Sequence, residues 1–185
     1  MKKPAFMILA TELLKVYSKE NVNRIVGMVE ADPGLFAQLV KLTLQPNVVL
    51  AQRASWVLTH CCDKMPSLLF PHFEELIFAS PHFAHTGIRR NVLRMISMQK
   101  IPENLQGYIF DLCLQWVISK KEPVAVKVHA MEILAGIASE QPDLKNEVIP
   151  VIMDILPHGT MAIISRGKKI LCKLGLDPDE IKTDY

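Results

Sequence analysis

An apolar pattern that returns four times at nearly constant spacing constrains this chain more than any other feature. Its first positions, Leu50, Ile88, Val126 and Ile163, lie 38, 38 and 37 residues apart. Further apolar or small residues follow each of them at four, seven and eight positions, the spacing of one helical face. These companions are Ala54, Val57 and Leu58; Val92, Met95 and Ile96; Ala130, Ile133 and Leu134; and Gly167, Ile170 and Leu171. Repeats of roughly 20 to 50 residues are typical of stacked helical units, so the pattern predicts an α-solenoid.

Short clusters of Pro, Gly, Asn and Asp divide the chain into about ten predicted helices. Their predicted spans are 4–17, 20–31, 33–44, 47–62, 66–79, 86–99, 103–119, 123–139, 143–156 and 160–174. No segment alternates with period two for long enough to indicate a strand. None approaches the ~20 uninterrupted apolar residues that cross a bilayer. We therefore predict one helical domain over residues 1–175, an acidic tail over residues 176–185, and no membrane partner.

The third copy of the pattern has a recognisable sequence. The segment from Glu122 to Ile137 resembles the HEAT-repeat consensus, in which an acidic-Pro pair precedes Val-Arg and an Ala-rich helix. Lys127 stands where that family usually has Arg. Weaker copies occupy residues 45–58, 88–90 and 161–174, and the resemblance covers about residues 20–175. It implies a right-handed α-α superhelix of about five helical hairpins, and an interaction scaffold whose partner the fold alone does not identify.

Charge is nearly balanced over the whole chain, with a net value of +2, but it is unevenly distributed. In HEAT-like stacks the second helix of each hairpin lines the concave side, and here those helices carry nine of the 21 Lys and Arg residues. The basic residues are Arg53, Arg89, Arg90, Arg94, Lys127, Arg166, Lys168, Lys169 and Lys173. The first helices of the later hairpins are acidic instead. We therefore expect a basic concave surface and an acidic convex one.

Helical geometry predicts which side chains form the contact surface. The position six after each anchor points away from the apolar stripe, which places Trp56, Arg94, Glu132 and Lys169 on one exposed ridge. Arg90 lies beside this ridge. Exposed Trp and Arg residues on a rigid surface often contribute most of the binding energy. We therefore predict that these five residues bind a protein or an acidic peptide segment.

Two structural interpretations compete with this prediction. Trp56 would also be explained if it covered the junction with a neighbouring helix. Arg89, Arg90 and Arg94 would also be explained as a solvated face whose ion pairs are each worth ~0 to 1 kcal/mol.

Sequence-independent nucleic-acid binding through phosphate contacts is the alternative function. A third hypothesis is self-association, because the opening helix is unusually apolar for an uncovered end of a solenoid.

Catalytic and metal-binding motifs are not evident in the sequence. It has no Gly-rich phosphate loop, nucleophile elbow or His-Glu-x-x-His pair, so we predict no catalytic residue, metal or cofactor. The segment from His60 to Asp63 contains zinc-competent residue types but lacks the spacing of a known site. One enzymatic alternative remains open. DNA glycosylases built from HEAT-like repeats use a basic cleft with aromatic and acidic residues, and Trp56, Arg94 and Glu132 are similar in kind.

Cysteine usage bears on the cellular compartment. Cys61 and Cys62 are adjacent, which strains a disulfide between them, and Cys113 and Cys172 complete no paired spacing. We interpret all four as small core residues. Unpaired thiols are typical of a reducing compartment, so we expect a cytoplasmic protein.

Overall fold

The computed structural model describes residues 5–177 and contains ten α-helices and no strand in that range. Nine of the predicted helices are found with both ends within two residues of the predicted positions. The all-α prediction is therefore confirmed, with helix pairs consistent with about five hairpins. The helices are α1 (Ala5–Lys15), α2 (Lys19–Ala31), α3 (Gly34–Thr43), α4 (Val48–Lys64), α5 (Phe73–Ala79), α6 (Thr86–Ser97), α7 (Glu103–Ile118), α8 (Val124–Glu140), α9 (Lys145–Ile155) and α10 (Met161–Leu174).

The fifth predicted helix, over residues 66–79, is shorter than expected. A 3-10 helix spans Pro66–His72, and α5 begins only at Phe73. Pro71 lies inside the 3-10 segment, where its ring removes a backbone donor and clashes with the preceding helical turn. A regular α-helix therefore starts only after this proline.

The repeated stripe forms the core of the helices that carry it. All four anchors are buried, the most exposed of them being Leu50 at 8%. The twelve companions at positions four, seven and eight after the anchors are buried as well. The phase of the stripe inferred from the sequence is therefore confirmed.

The fourth position of the stripe is small in three of its four copies, with Val92 as the exception, and Gly167 shows one reason. A Cβ atom built on Gly167 would lie 2.5 Å from Leu156 Cδ2 and 3.2 Å from Ile152 Cγ2. Ordinary carbon contacts are about 3.5 to 4.0 Å, so a side chain at Gly167 would require the buried Leu156 side chain to move. The corresponding residues Ala54 and Ala130 are fully buried.

The chain divides into two compact units whose boundary falls between Met95 and Ile96, near the end of α6. In the first unit α4 packs against α1, α2 and α3. In the second unit α8 packs against α7, α9 and α10. The single domain over residues 1–175 stays a prediction. Of the predicted acidic tail, residues 178–185 lie outside the described residues.

The four cysteines are free thiols, and three of them are buried. Burial raises the pKa of Cys61 and of Cys62 to about 12, so both thiols stay protonated near neutral pH. Cys172 is exposed on α10, so the prediction that all four cysteines are core residues was wrong at that position. Its place one residue after the buried Leu171 turns it out of the apolar stripe.

Candidate functional site

Trp56 lies on α4 of the first unit and is half-buried. Its ring centroid is 4.9 Å from that of Tyr17, which lies between α1 and α2 and is 58% exposed. On the other side, the His60 ring lies one helical turn along α4, at 6.0 Å and edge to face. Aromatic pairs at such distances stabilise each other's orientation. The indole is therefore held in place without being sealed beneath a neighbour.

Two cations flank these rings. The Arg53 guanidinium carbon lies 5.3 Å from the centroid of the Tyr17 ring, a cation–π arrangement, and Nη1 donates to the backbone oxygen of Leu13 at 2.9 Å. The ammonium of Lys19 lies 3.0 Å from His60 Nε2. Partial burial, followed by the charge of Lys19, lowers the pKa of His60. A neutral imidazole can accept the hydrogen bond from Lys19, so both cations contact neutral groups and keep their charge.

We call the five residues Tyr17, Lys19, Arg53, Trp56 and His60 the Trp56 surface. They combine an exposed Tyr and a half-buried Trp with two positive charges. Such a surface can bury an apolar side chain of a partner while attracting acidic ones.

Arg90 and Arg94 lie on α6, which is joined to α4 by a hydrogen bond from Asn91 Nδ2 to Ser55 Oγ at 2.9 Å. The Arg94 Nη2 group lies 2.8 and 3.1 Å from the two carboxylate oxygens of Asp63. The ion-pair interpretation is therefore confirmed for Arg94, whose charge is largely offset. Arg90 is exposed, and its guanidinium donates to Asn91 Oδ1 at 3.1 Å.

Arg89 does not belong to the basic surface that the sequence predicted. Its side chain is buried, with Nε donating to the backbone oxygen of Ser80 at 2.9 Å and Nη2 donating to that of Pro81 at 3.0 Å. These carbonyls lie at and beyond the end of α5, where the helix leaves acceptors unsatisfied and carries partial negative charge. The prediction of an exposed charge at Arg89 was wrong because this guanidinium caps α5.

The other two predicted contact residues lie in the second unit. Glu132 on α8 forms an ion pair with Arg166 on α10, through Oε1 and Nη1. Lys169 is exposed on α10. The carboxylate that the glycosylase hypothesis would need is thus paired with a guanidinium, which offsets its charge.

Sequence reasoning missed Tyr17, Lys19 and His60 as parts of the site. His60 lies four residues after Trp56, a spacing that brings side chains together on a helix, so that contact had a detectable signal. Tyr17 and Lys19 come from the junction of α1 and α2, with Lys19 41 residues before His60 in the sequence, and nothing in their local sequence marks them. Among the described residues, no group of three or more His, Cys, Asp or Glu side chains could hold a metal ion. Nor is any described helix long and apolar enough to cross a membrane.

Comparison with known proteins agrees with the helical architecture. No curated protein and no solved structure matches the chain. A family model described as the HEAT repeat domain matches residues 9–174, which is most of the chain and includes all four copies of the buried stripe. The chain therefore belongs to the HEAT repeat domain family.

Proposed function

We propose that this protein is a non-enzymatic interaction module that binds an acidic protein segment on the Trp56 surface. The observation that carries the proposal is the pairing of a half-exposed Trp with cations held by neutral groups. Arg53 contacts a backbone carbonyl and an aromatic ring, and Lys19 contacts a neutral imidazole. Neither of these cation contacts involves a carboxylate, and Asp63 meets the surface only through His60, with Oδ2 3.6 Å from Nδ1. An acidic partner would therefore meet charge on Arg53 and Lys19 that remains to be neutralised.

Arg90 is a further proposed contact of this module, because it is exposed and its hydrogen bond goes to a neutral amide. Arg94 is proposed as a weaker contact, since Asp63 already offsets its charge. In the second unit, exposed Lys169 is proposed to contact an acidic partner, and Glu132 with Arg166 to make a polar contact. The free buried thiols support the proposal that the module works in a reducing compartment such as the cytoplasm.

A protein partner is favoured over nucleic acid by the state of the arginines on α6. Duplex binding draws its affinity from several simultaneous phosphate contacts. Arg89 is buried against backbone carbonyls and Arg94 is paired with Asp63, which leaves fewer charges for such contacts than the sequence alone suggests. A single Trp with a few cations suits a short acidic segment better.

The double variant Trp56→Ala with Arg90→Glu tests this proposal. Loss of a central Trp commonly costs about 2 kcal/mol or more of binding free energy, so we expect recovery of acidic partners to fall more than about tenfold. The measurement is quantitative pull-down from cell extract with mass spectrometry, followed by titration of an acidic segment from the main partner.

The matched control is Phe78→Ala with Lys41→Glu, which removes one exposed aromatic and reverses one exposed charge elsewhere in the first unit. We expect this control to recover partners as the unmodified protein does. Equal recovery by both double variants would remove the Trp56 surface as the contact site. Loss of all partners after nuclease treatment would instead favour nucleic-acid binding.

A further inference from the structure

A cavity of about 240 Å³ lies in the second unit, where α7, α8 and α9 meet. The buried side chains of Phe110 and Ile137 form its floor, together with half-buried Leu144. Two exposed carboxylates, Asp111 and Glu147, line it at the solvent side. No basic residue is among the lining residues, so the cavity combines an apolar floor with uncompensated negative charge at its mouth.

The polar wall of this cavity is already satisfied. Gln106 is buried, and its Nε2 donates to the backbone oxygen of Ile101 at 3.0 Å and to Glu140 Oε2 at 3.1 Å. Its Oε1 accepts a hydrogen bond from the side chain of Gln141. Amide groups that are already hydrogen-bonded keep the cavity wall in shape and are not available to bind a ligand. The carboxylates of Asp111 and Glu147 are therefore the groups that would recognise one.

The size and chemistry of the cavity point to a single cationic side chain. Pockets for drug-sized ligands hold about 300 to 1,000 Å³, which is more than this cavity offers. A long basic side chain has an aliphatic stem suited to an apolar floor and a charged head suited to carboxylates. Arg fits better than Lys because its planar guanidinium is weakly hydrated and has five donors, enough for two carboxylates.

We propose that this cavity receives an arginine side chain of a partner protein. The stem packs on Phe110, Ile137 and Leu144, and the guanidinium donates to Asp111 and Glu147. This site is independent of the Trp56 surface and takes a ligand of opposite charge. A partner could therefore fail to bind at either surface without affecting the proposal for the other.

Titration with small probes, followed by backbone amide NMR, tests the site directly. The probe is N-acetyl-arginine amide, and the matched control is N-acetyl-citrulline amide, which replaces the guanidinium with a neutral urea of similar shape. We expect saturable shifts at Gly107, Asp111 and Glu147 with the arginine probe. The citrulline probe should bind about tenfold more weakly, because its urea keeps N–H donors but has no positive charge to pair with the carboxylates. Equal binding of both probes would overturn the proposal.

Charge-neutralising variants identify the carboxylates responsible. Asp111→Asn with Glu147→Gln should lower the affinity for the arginine probe about tenfold. Glu103→Gln with Asp154→Asn changes the net charge equally at two exposed acids that do not line the cavity, and should leave the affinity unchanged. Equal loss in both pairs would show general surface attraction and would contradict a defined site.

A variant that fills the cavity with a larger side chain tests whether the probe needs this space, independently of charge. Gly107 lines the cavity, and a Cβ atom built there meets no other atom within 4 Å, so Gly107→Leu should enter the space without a clash. Gly27 on α2 is equally open and provides the control Gly27→Leu. We expect loss of saturable binding in Gly107→Leu alone. Unchanged binding in Gly107→Leu would exclude the cavity as the binding site. If Gly107→Leu fails to fold, the charge-neutralising pair still tests the site.

Discussion

Replacing Ala130 with Trp is expected to lower the free energy of unfolding by about 1 to 3 kcal/mol or more. Ala130 is fully buried on α8, which packs against α7, α9 and α10, and it occupies the small position of the repeated stripe. An indole has no free volume to occupy there, so neighbouring helices must move or the side chain must adopt a strained rotamer. Chemical denaturation followed by circular dichroism measures the change.

The control for this variant is Ala162→Trp on α10 in the same unit. Ala162 is exposed, so an indole there points into solvent, and we expect a change within about 0.5 kcal/mol. Equal unfolding midpoints for Ala130→Trp and the unmodified protein would mean that Ala130 does not face a helix junction. The phase of the stripe would then be wrong in the second unit.

Truncation of Leu58 to Ala should be the most damaging large-to-small change on α4, with an expected cost of about 2 to 5 kcal/mol. Leu58 is fully buried, eight residues after the anchor Leu50. The loss combines the transfer free energy of the removed atoms with the cavity that remains. Chemical denaturation followed by circular dichroism measures the free energy of unfolding. The dependence of that free energy on denaturant concentration is checked for two-state behaviour.

Leu14→Ala removes the same atoms from an exposed position on α1 and serves as the comparison. We expect it to change stability by about 0.5 kcal/mol or less, because its side chain already contacts water. Similar losses in both variants would show that burial does not distinguish Leu58 from Leu14. The described packing of α4 would then be contradicted.

The helical core could be predicted because it depends on a repeated local pattern. Leu50, Ile88, Val126 and Ile163 each begin the same set of buried positions, and a helix has only one way to place such residues on one face. The small fourth position at Gly167 was also predictable, since close helix contact requires it. The break before α5 was not predicted, although Pro71 inside the predicted helix explains it.

The site was predictable only where it depends on the geometry of one helix. The angular position of Trp56 on α4 predicted an exposed side chain, and the structure has it half-buried. Its contact with Tyr17 could not be predicted, because Tyr17 lies outside a regular helix and reaches Trp56 through tertiary packing. The capping of α5 by Arg89 could not be predicted either, because it depends on the positions of the Ser80 and Pro81 carbonyls in the folded chain.

Arg94 and Glu132 show a second limit of prediction from one sequence. Both point away from the apolar stripe as expected, yet each meets an opposite charge from another helix, Asp63 and Arg166 respectively. Helical periodicity indicates which direction a side chain faces, but it does not indicate which charge it meets there. The charge that a surface presents to a partner therefore depends on pairings that only the folded chain defines.

Quenching of Trp56 fluorescence by iodide and by caesium most directly tests whether the Trp56 surface is open and positive. The Trp116→Phe variant leaves Trp56 as the only Trp and keeps an aromatic ring at this buried position. Local positive charge concentrates anions, so we expect the quenching constant for iodide to exceed that for caesium by about twofold or more at low salt. Inaccessibility to both ions, or equal quenching by both, would contradict a binding surface built around Trp56.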